Sequence, residues 1–86
     1  MADAVDYQKF ILGHVAAPLA ALGLDPATVP GDLDLLATGL IDSLGLLELV
    51  AAIEAEFQIE VDSFEIAPED LTTIGPLAKF LAAHSD

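Results

Sequence analysis

Five glycine and proline residues lie between residues 23 and 41, and they interrupt any regular element there. They are Gly23, Pro26, Pro30, Gly31 and Gly39. Glycine and proline at this density favour turns over a helix or a strand. From residue 31 onward the segment also contains four leucines, too many for a solvated linker: Leu33, Leu35, Leu36 and Leu40. The sequence therefore predicts a long ordered loop that lies across helix ends and adds side chains to the core.

On both sides of this loop, apolar side chains recur every three or four residues, the period of a helix with one apolar face. The first helix is predicted over residues 4–21, with a kink or an early end in its last turn at Pro18. The second helix begins at the capping signal of Asp42 and Ser43. Its predicted apolar stripe consists of Leu46, Leu47, Val50, Ile53 and Phe57.

The chain after the second helix predicts two further helical elements. Residues 58–61 favour an extended connection, and residues 67–71, with Pro68 near the start, favour one short helical turn. A final helix follows, with Thr73 as its expected cap. The predicted fold class is all-α, a small bundle of three main helices plus one short helix, with a long ordered loop between the first two, in a single domain over residues 1–86.

The charge of the chain is strongly negative. Fifteen Asp and Glu residues stand against Lys9 and Lys79, which gives a formal net charge of −13. This balance disfavours nucleic acid and anionic membranes as partners and favours basic proteins. Apolar residues make up 55% of the chain, enough for a packed core. No run of residues reaches the roughly 18 apolar positions of a membrane span, and no signal peptide is evident, so a cytoplasmic protein is expected.

The residues that most enzymes use are few and scattered. The chain has no cysteine, and His14 and His84 lie far apart in the sequence. No pairing of a nucleophile with a base is recognisable. Asp32 and Asp34 lack the further oxygen ligands and the glycine of a calcium loop, and no glycine-rich phosphate loop is present. We therefore expect a protein without catalytic activity of its own and without a metal site.

The twelve residues from Gly39 to Val50 read Gly-Leu-Ile-Asp-Ser-Leu-Gly-Leu-Leu-Glu-Leu-Val. This segment resembles the acyl carrier and peptidyl carrier proteins, a family centred on Asp-Ser-Leu at the start of its second helix. The residues from Glu48 to Phe57 look like the family's acidic recognition helix, and Leu71-Thr72-Thr73-Ile74 is similar to the start of its last helix. The resemblance extends from about residue 36 to the C-terminus, whereas the first helix resembles the family only in length and pattern.

The resemblance implies a discrete carrier in which Ser43 receives 4'-phosphopantetheine from coenzyme A. The thiol of that group would carry acyl, aminoacyl or polyketide intermediates as thioesters, in a natural-product or other specialised pathway. The expected partners of a monomeric carrier are a phosphopantetheinyl transferase, a loading ligase or transferase, and downstream biosynthetic enzymes. The remaining site residues fall into three groups: Asp42 for transferase recognition; Leu44, Glu48, Glu54 and Glu56 for partner docking; and Leu47, Val50 and Ile66 for contact with cargo.

Two positions depart from the carriers of fatty acids. Gly45 stands where those members usually have an acid, and Ala55 interrupts their run of glutamates. The segment from Leu40 to Ser43 looks closer to carriers of amino acids, aryl acids or polyketide units. A different interpretation remains open, because Asp-Ser before an apolar helix is a common cap and glutamates commonly line solvated helix faces. In that reading the chain is an unmodified acidic adaptor that binds basic partners.

Overall fold

A computed structural model describes residues 2–61 and 66–84 and contains five helices in those ranges. They are α1 (Ala4–His14), α2 (Ala16–Ala21), α3 (Ser43–Phe57), α4 (Pro68–Leu71) and α5 (Ile74–His84). Within the same ranges no strand forms, and the one β-bridge joins Asp34 to Thr73. These observations confirm the all-α fold class and the short helix near residue 68. No helix in the described ranges has the length and apolar character needed to cross a membrane.

The first predicted helix is broken in two at Val15. Helix α1 begins with a capping box in which Asp3 and Asp6 each accept the other's backbone N–H, at 3.0 and 3.1 Å. Pro18 is the third residue of α2, and it has no N–H to donate to the carbonyl of His14, four residues earlier. The break therefore falls upstream of the proline. The sequence predicted one helix over residues 4–21 with a kink or an early end in its last turn at Pro18, and the position of the break was wrong.

The long loop between α2 and α3 is ordered and joins the core, as the sequence predicted. Leu35 and Leu40 are buried, and Leu33 and Leu36 are half-buried. The N–H of Leu35 donates to the carbonyl of Thr72 at 2.8 Å. The loop is thus held against the junction of α4 and α5, far away along the chain.

The same loop provides the N-terminal cap of α5. The N–H of Ile74 donates to the carbonyl of Leu33 at 3.3 Å, and the N–H of Gly75 donates to the carbonyl of Gly31 at 2.7 Å. The next residue, Pro76, has no N–H that needs a partner. Thr73 takes the N-cap position that the sequence predicted, because its carbonyl accepts the N–H of Leu77 at 2.9 Å. Its hydroxyl, however, donates to a carbonyl of α4 and is not the capping group.

Asp34 ties the loop together and fastens it to the α4–α5 junction. Its Oδ1 accepts the N–H groups of Leu36 and Ala37, both at 2.9 Å, and its Oδ2 accepts the hydroxyl of Thr72 at 3.0 Å. The hydrogen bond from Ala37 lowers the pKa of Asp34, with smaller contributions in the same direction from Thr72 and Leu36, and desolvation opposes them. The ionised carboxylate is therefore the form that holds the loop in place.

Aromatic rings join α1 to the C-terminal end of α3. The Tyr7 ring lies 4.3 Å from the Phe57 ring between centroids, and Phe10 meets Phe57 edge to face at 5.5 Å. Tyr7 and Phe10 belong to α1, whereas Phe57 is the last residue of α3. The fourteen steps from Phe57 back to Ser43 span about 21 Å of helix, so Ser43 lies far from Tyr7 and the first turn of α1.

The buried face of α3 differs from the predicted stripe. Leu46, Leu49 and Ile53 are buried, but Leu47 is 67% exposed. Residues i and i+2 of a helix are separated by about 160° around its axis, so Leu47 and Leu49 point in nearly opposite directions. The placement of Leu47 in the core was wrong, and Leu49 was missed, because leucines at positions 44, 46, 47 and 49 surround this part of the helix with apolar side chains.

Gly75→Ala should weaken the attachment of the loop to α5. A Cβ atom at this position would lie 2.9 Å from the carbonyl oxygen of Gly31, which is backbone and cannot swing aside. We expect the free energy of unfolding to fall by about 1–3 kcal/mol, measured by urea denaturation. Gly13→Ala is the matched control, because a Cβ there meets nothing within 4 Å. That variant should gain up to about 1 kcal/mol from helix propensity. Equal stability of the two variants would contradict the prediction.

Asp34→Asn should lower stability near neutral pH and remove part of its dependence on acid. Because the folded-state pKa of Asp34 lies below its ordinary value of 3.8, its contribution is present above about pH 4 and is lost as the pH falls further. The stability difference between wild type and variant should therefore shrink on acidification. Urea denaturation at several pH values measures it. Asp32→Asn is the control, since Asp32 is exposed in the same loop, and a similar response of both variants would contradict the role of Asp34.

Candidate functional site

Asp42 initiates α3 and places Ser43 as the first residue of the helix. The backbone of Asp42 is extended, and its Oδ1 accepts the N–H of Gly45 at 2.7 Å. Its carbonyl accepts the N–H of Leu46 at 2.9 Å. These are the bonds of an N-cap residue, so Asp42 alone satisfies the capping signal that the sequence assigned to Asp42 and Ser43 together.

Ser43 is exposed at the positive end of a fifteen-residue helix. As the first two helical residues, Ser43 and Leu44 have backbone N–H groups without an acceptor inside the helix. Such N–H groups stabilise a nearby anion. A phosphodiester attached to the Ser43 hydroxyl would therefore meet favourable electrostatics and no buried wall, so the site fits a phosphopantetheine group.

Gly45 allows the first turn of α3 to close tightly against the loop. A Cβ atom here would lie 3.1 Å from the Cβ of Ile41 and 3.3 Å from the Oδ1 of Asp42. Ile41 is half-buried, and its N–H donates to the carbonyl of Leu35 at 3.1 Å. The position of Ser43 is thus set by a loop that is itself fastened to the α4–α5 junction. Gly45 and Ile41 were not among the predicted site residues, although the glycine was noted as unusual.

The four predicted docking residues have different surroundings. Leu44 is 63% exposed, and Glu48 and Glu56 are exposed as well. Glu54 is half-buried, and its Oε2 accepts the N–H of Val61 at 2.9 Å. This bond holds the extended connection that follows α3, so Glu54 has a structural role whatever else it does.

The three predicted cargo residues do not form one buried set. Ile66 is buried and Val50 is half-buried, whereas Leu47 projects into solvent.

In the described ranges there is also no group of three or more His, Asp or Glu side chains placed to hold a metal ion. The exposed N-terminal end of α3, with Ser43, therefore remains the candidate functional site.

Comparison with protein families shows which family the chain belongs to. The model of a phosphopantetheine attachment site matches residues 15–81, most of the chain. The chain belongs to this family of carrier proteins. The predicted resemblance to acyl and peptidyl carrier proteins is thereby confirmed, and with it the covalent 4'-phosphopantetheine that the family bears. Members of the family are generally non-catalytic and work with modifying and biosynthetic enzymes. Comparisons with curated proteins and with solved structures found no significant match.

Asp42→Ala should destabilise the carrier by about 1 kcal/mol, because it removes the side-chain acceptor of the Gly45 N–H. Asp42→Asn retains an acceptor oxygen in the same place and should cost about half as much or less. Urea denaturation of both variants measures the difference. If Asp42→Ala has the same free energy of unfolding as the wild type, the cap makes no net contribution to stability and the prediction is wrong.

Proposed function

We propose that Ser43 is the phosphopantetheine attachment residue and that the chain acts as a discrete carrier. Its cargo is an acyl, aminoacyl or polyketide intermediate passed between enzymes of a specialised pathway. The proposal is supported above all by the position of Ser43, which is exposed, begins α3 and directly follows the capping Asp42. Ser43 also lies well inside the matched range of residues 15–81.

In this proposal Ser43 takes part in one reaction, the transfer of phosphopantetheine to its hydroxyl. Its Oγ forms a bond to phosphorus of coenzyme A, the bond from that phosphorus to the nucleotide half breaks, and a base of the transferase takes the hydroxyl proton. The attached group supplies the thiol on which cargo is held as a thioester. The chain contains no cysteine, so no thiol of its own competes for the cargo. The protein contributes an exposed, well-placed hydroxyl and leaves the acyl chemistry to its partners.

Asp42 combines a structural and a recognition role in this proposal. Its Oδ1 is used by the helix cap, while the residue as a whole is exposed beside Ser43. A transferase that reaches Ser43 therefore also meets the carboxylate of Asp42. This arrangement fits the expected role of Asp42 in recognition of the modifying enzyme.

The proposed partners are the phosphopantetheinyl transferase, a loading ligase or transferase, and downstream biosynthetic enzymes. Leu44, Glu48 and Glu56 are exposed on α3 and available to all three, with Glu54 contributing less because of its bond to Val61. The chain's net charge of −13 favours basic partner surfaces and acts mainly on the rate of encounter. The monomeric state and the cytoplasmic location stay predictions.

The competing hypothesis, an unmodified acidic adaptor, treats Ser43 as a helix cap. In the structure the capping bond belongs to Asp42, so capping does not explain why residue 43 is a serine. The adaptor hypothesis therefore accounts for less of this site than the carrier hypothesis does.

Intact-mass measurement after incubation with coenzyme A, magnesium and a broad-specificity phosphopantetheinyl transferase tests the proposal. We expect the wild type to gain the mass of one phosphopantetheine and Ser43→Ala to gain none. Ser63→Ala is the matched control, because Ser63 also follows an aspartate and also lies within the matched range. That variant should be modified like the wild type.

Two results would contradict this assignment. Modification that persists in Ser43→Ala and disappears in Ser63→Ala would move the attachment site to Ser63. No gain in a folded wild type, with a known carrier modified in the same reaction mixture, would instead favour the adaptor hypothesis.

A further inference from the structure

Thr72 follows the last residue of α4 and lies almost entirely inside the protein, with an exposed fraction of 8%. Its hydroxyl donates to the Oδ2 of Asp34 at 3.0 Å, and the carbonyl oxygen of Glu69 lies 3.3 Å from the same hydroxyl. A hydroxyl has one hydrogen to donate, and an ionised carboxylate is a stronger acceptor than a carbonyl. The bond to Asp34 is therefore the main bond of this buried hydroxyl.

The backbone of Thr72 holds the same loop at a second point. Its carbonyl accepts the N–H of Leu35 at 2.8 Å, while its hydroxyl bonds to Asp34. Two bonds from one residue to two successive loop residues fix the direction of the loop as well as its distance. A loop held only by the Leu35 bond would be able to pivot about it, so the hydroxyl of Thr72 supplies the bond that opposes this rotation.

The direction of the loop is passed on to α3 over a short path. The carbonyl of Leu35 accepts the N–H of Ile41 at 3.1 Å, which closes residues 35–41 into a ring. The Cβ of Ile41 lies 3.1 Å from the place that a Cβ atom of Gly45 would take, so Ile41 packs closely on the first turn of α3. Ser43 begins that turn. The place of the Ser43 hydroxyl in the bundle therefore depends on the bonds made at Thr72.

We propose that Thr72 is a positioning residue for the transfer of phosphopantetheine to Ser43. The inference rests on the proposed attachment at Ser43. Because Thr72 is buried, a transferase that binds at Ser43 does not reach its hydroxyl, and any influence on the reaction passes through the loop. A displacement of about 1 Å at a reacting group can lower a rate about a hundredfold. Loss of the hydroxyl bond leaves the Leu35 bond in place, so its effect is smaller.

The test measures single turnovers, with the phosphopantetheinyl transferase in excess over the carrier and coenzyme A saturating. Thr72→Val removes the hydroxyl and keeps a side chain of similar shape. Thr73→Val is the matched control, because it makes the same change one residue later, where the hydroxyl bonds to the Glu69 carbonyl and not to the loop. We expect the maximal rate constant to fall at least about threefold for Thr72→Val and less than about twofold for Thr73→Val. Thr72→Ser keeps the hydroxyl and should restore the wild-type value.

The maximal rate constant separates positioning from a loss of stability. Partial unfolding of the carrier raises the transferase concentration needed for half of the maximal rate, but saturating transferase draws the carrier into the folded complex and the maximal rate is kept. Displacement of the Ser43 hydroxyl lowers the maximal rate constant itself. Circular dichroism shows whether each variant is folded. Thr72→Ala should give a similar fall, and it decides the question if Thr72→Val does not fold.

Amide hydrogen exchange at Ile41 gives a second measurement that needs no transferase. Its N–H bonds to the Leu35 carbonyl, so a loosened loop should exchange this hydrogen at least about threefold faster in Thr72→Val, with no change in Thr73→Val. A wild-type maximal rate constant for Thr72→Val, or equal losses in the two valine variants, would overturn the positioning inference alone. Failure of the wild type to be modified, with a known carrier modified in the same mixture, would instead overturn the assignment of Ser43.

Discussion

The attachment of the long loop to the start of α5 is the interaction on which the rest of the structure depends. Asp34 accepts the Thr72 hydroxyl, the N–H of Leu35 meets the Thr72 carbonyl, and the Gly31 carbonyl accepts the N–H of Gly75. Buried leucines of the loop add apolar contacts to these hydrogen bonds. A segment rich in glycine and proline cannot order itself with helix bonds, so it obtains its order from the neighbouring helix.

The geometry of the proposed attachment site follows from that ordered loop. The bond between Ile41 and Leu35 sets the direction from which the chain enters α3, and Asp42 then caps the helix. Gly45 leaves room for both residues. Ser43 therefore stands at a defined place on a rigid helix end although the residues before it have no regular structure. A carrier needs such a fixed and exposed position, because the modifying enzyme must reach the hydroxyl there and later enzymes must find the attached group in the same surroundings.

The distribution of charge and apolar surface suits a protein that visits several enzymes. The net charge of −13 acts at long range and favours encounters with basic surfaces. The exposed apolar side chain of Leu44, directly beside Ser43, contributes only where another surface touches it. Surface charge in general affects encounter rates more than affinity, whereas an aliphatic side chain buried at contact adds affinity, so the two features act at different stages of an encounter.

The sequence by itself determined the helical periodicity, the loop of glycines, prolines and leucines, and the Asp-Ser-Leu motif that led to the carrier family, because these are local patterns. Tertiary structure decided which side of α3 is buried. With leucines on nearly every side of its first two turns, only the positions of the loop and of the other helices select Leu49 for the core and Leu47 for solvent. The cap of α5 and the bond between Asp34 and Thr72 were likewise undetermined, because they join residues about forty positions apart that no local pattern relates.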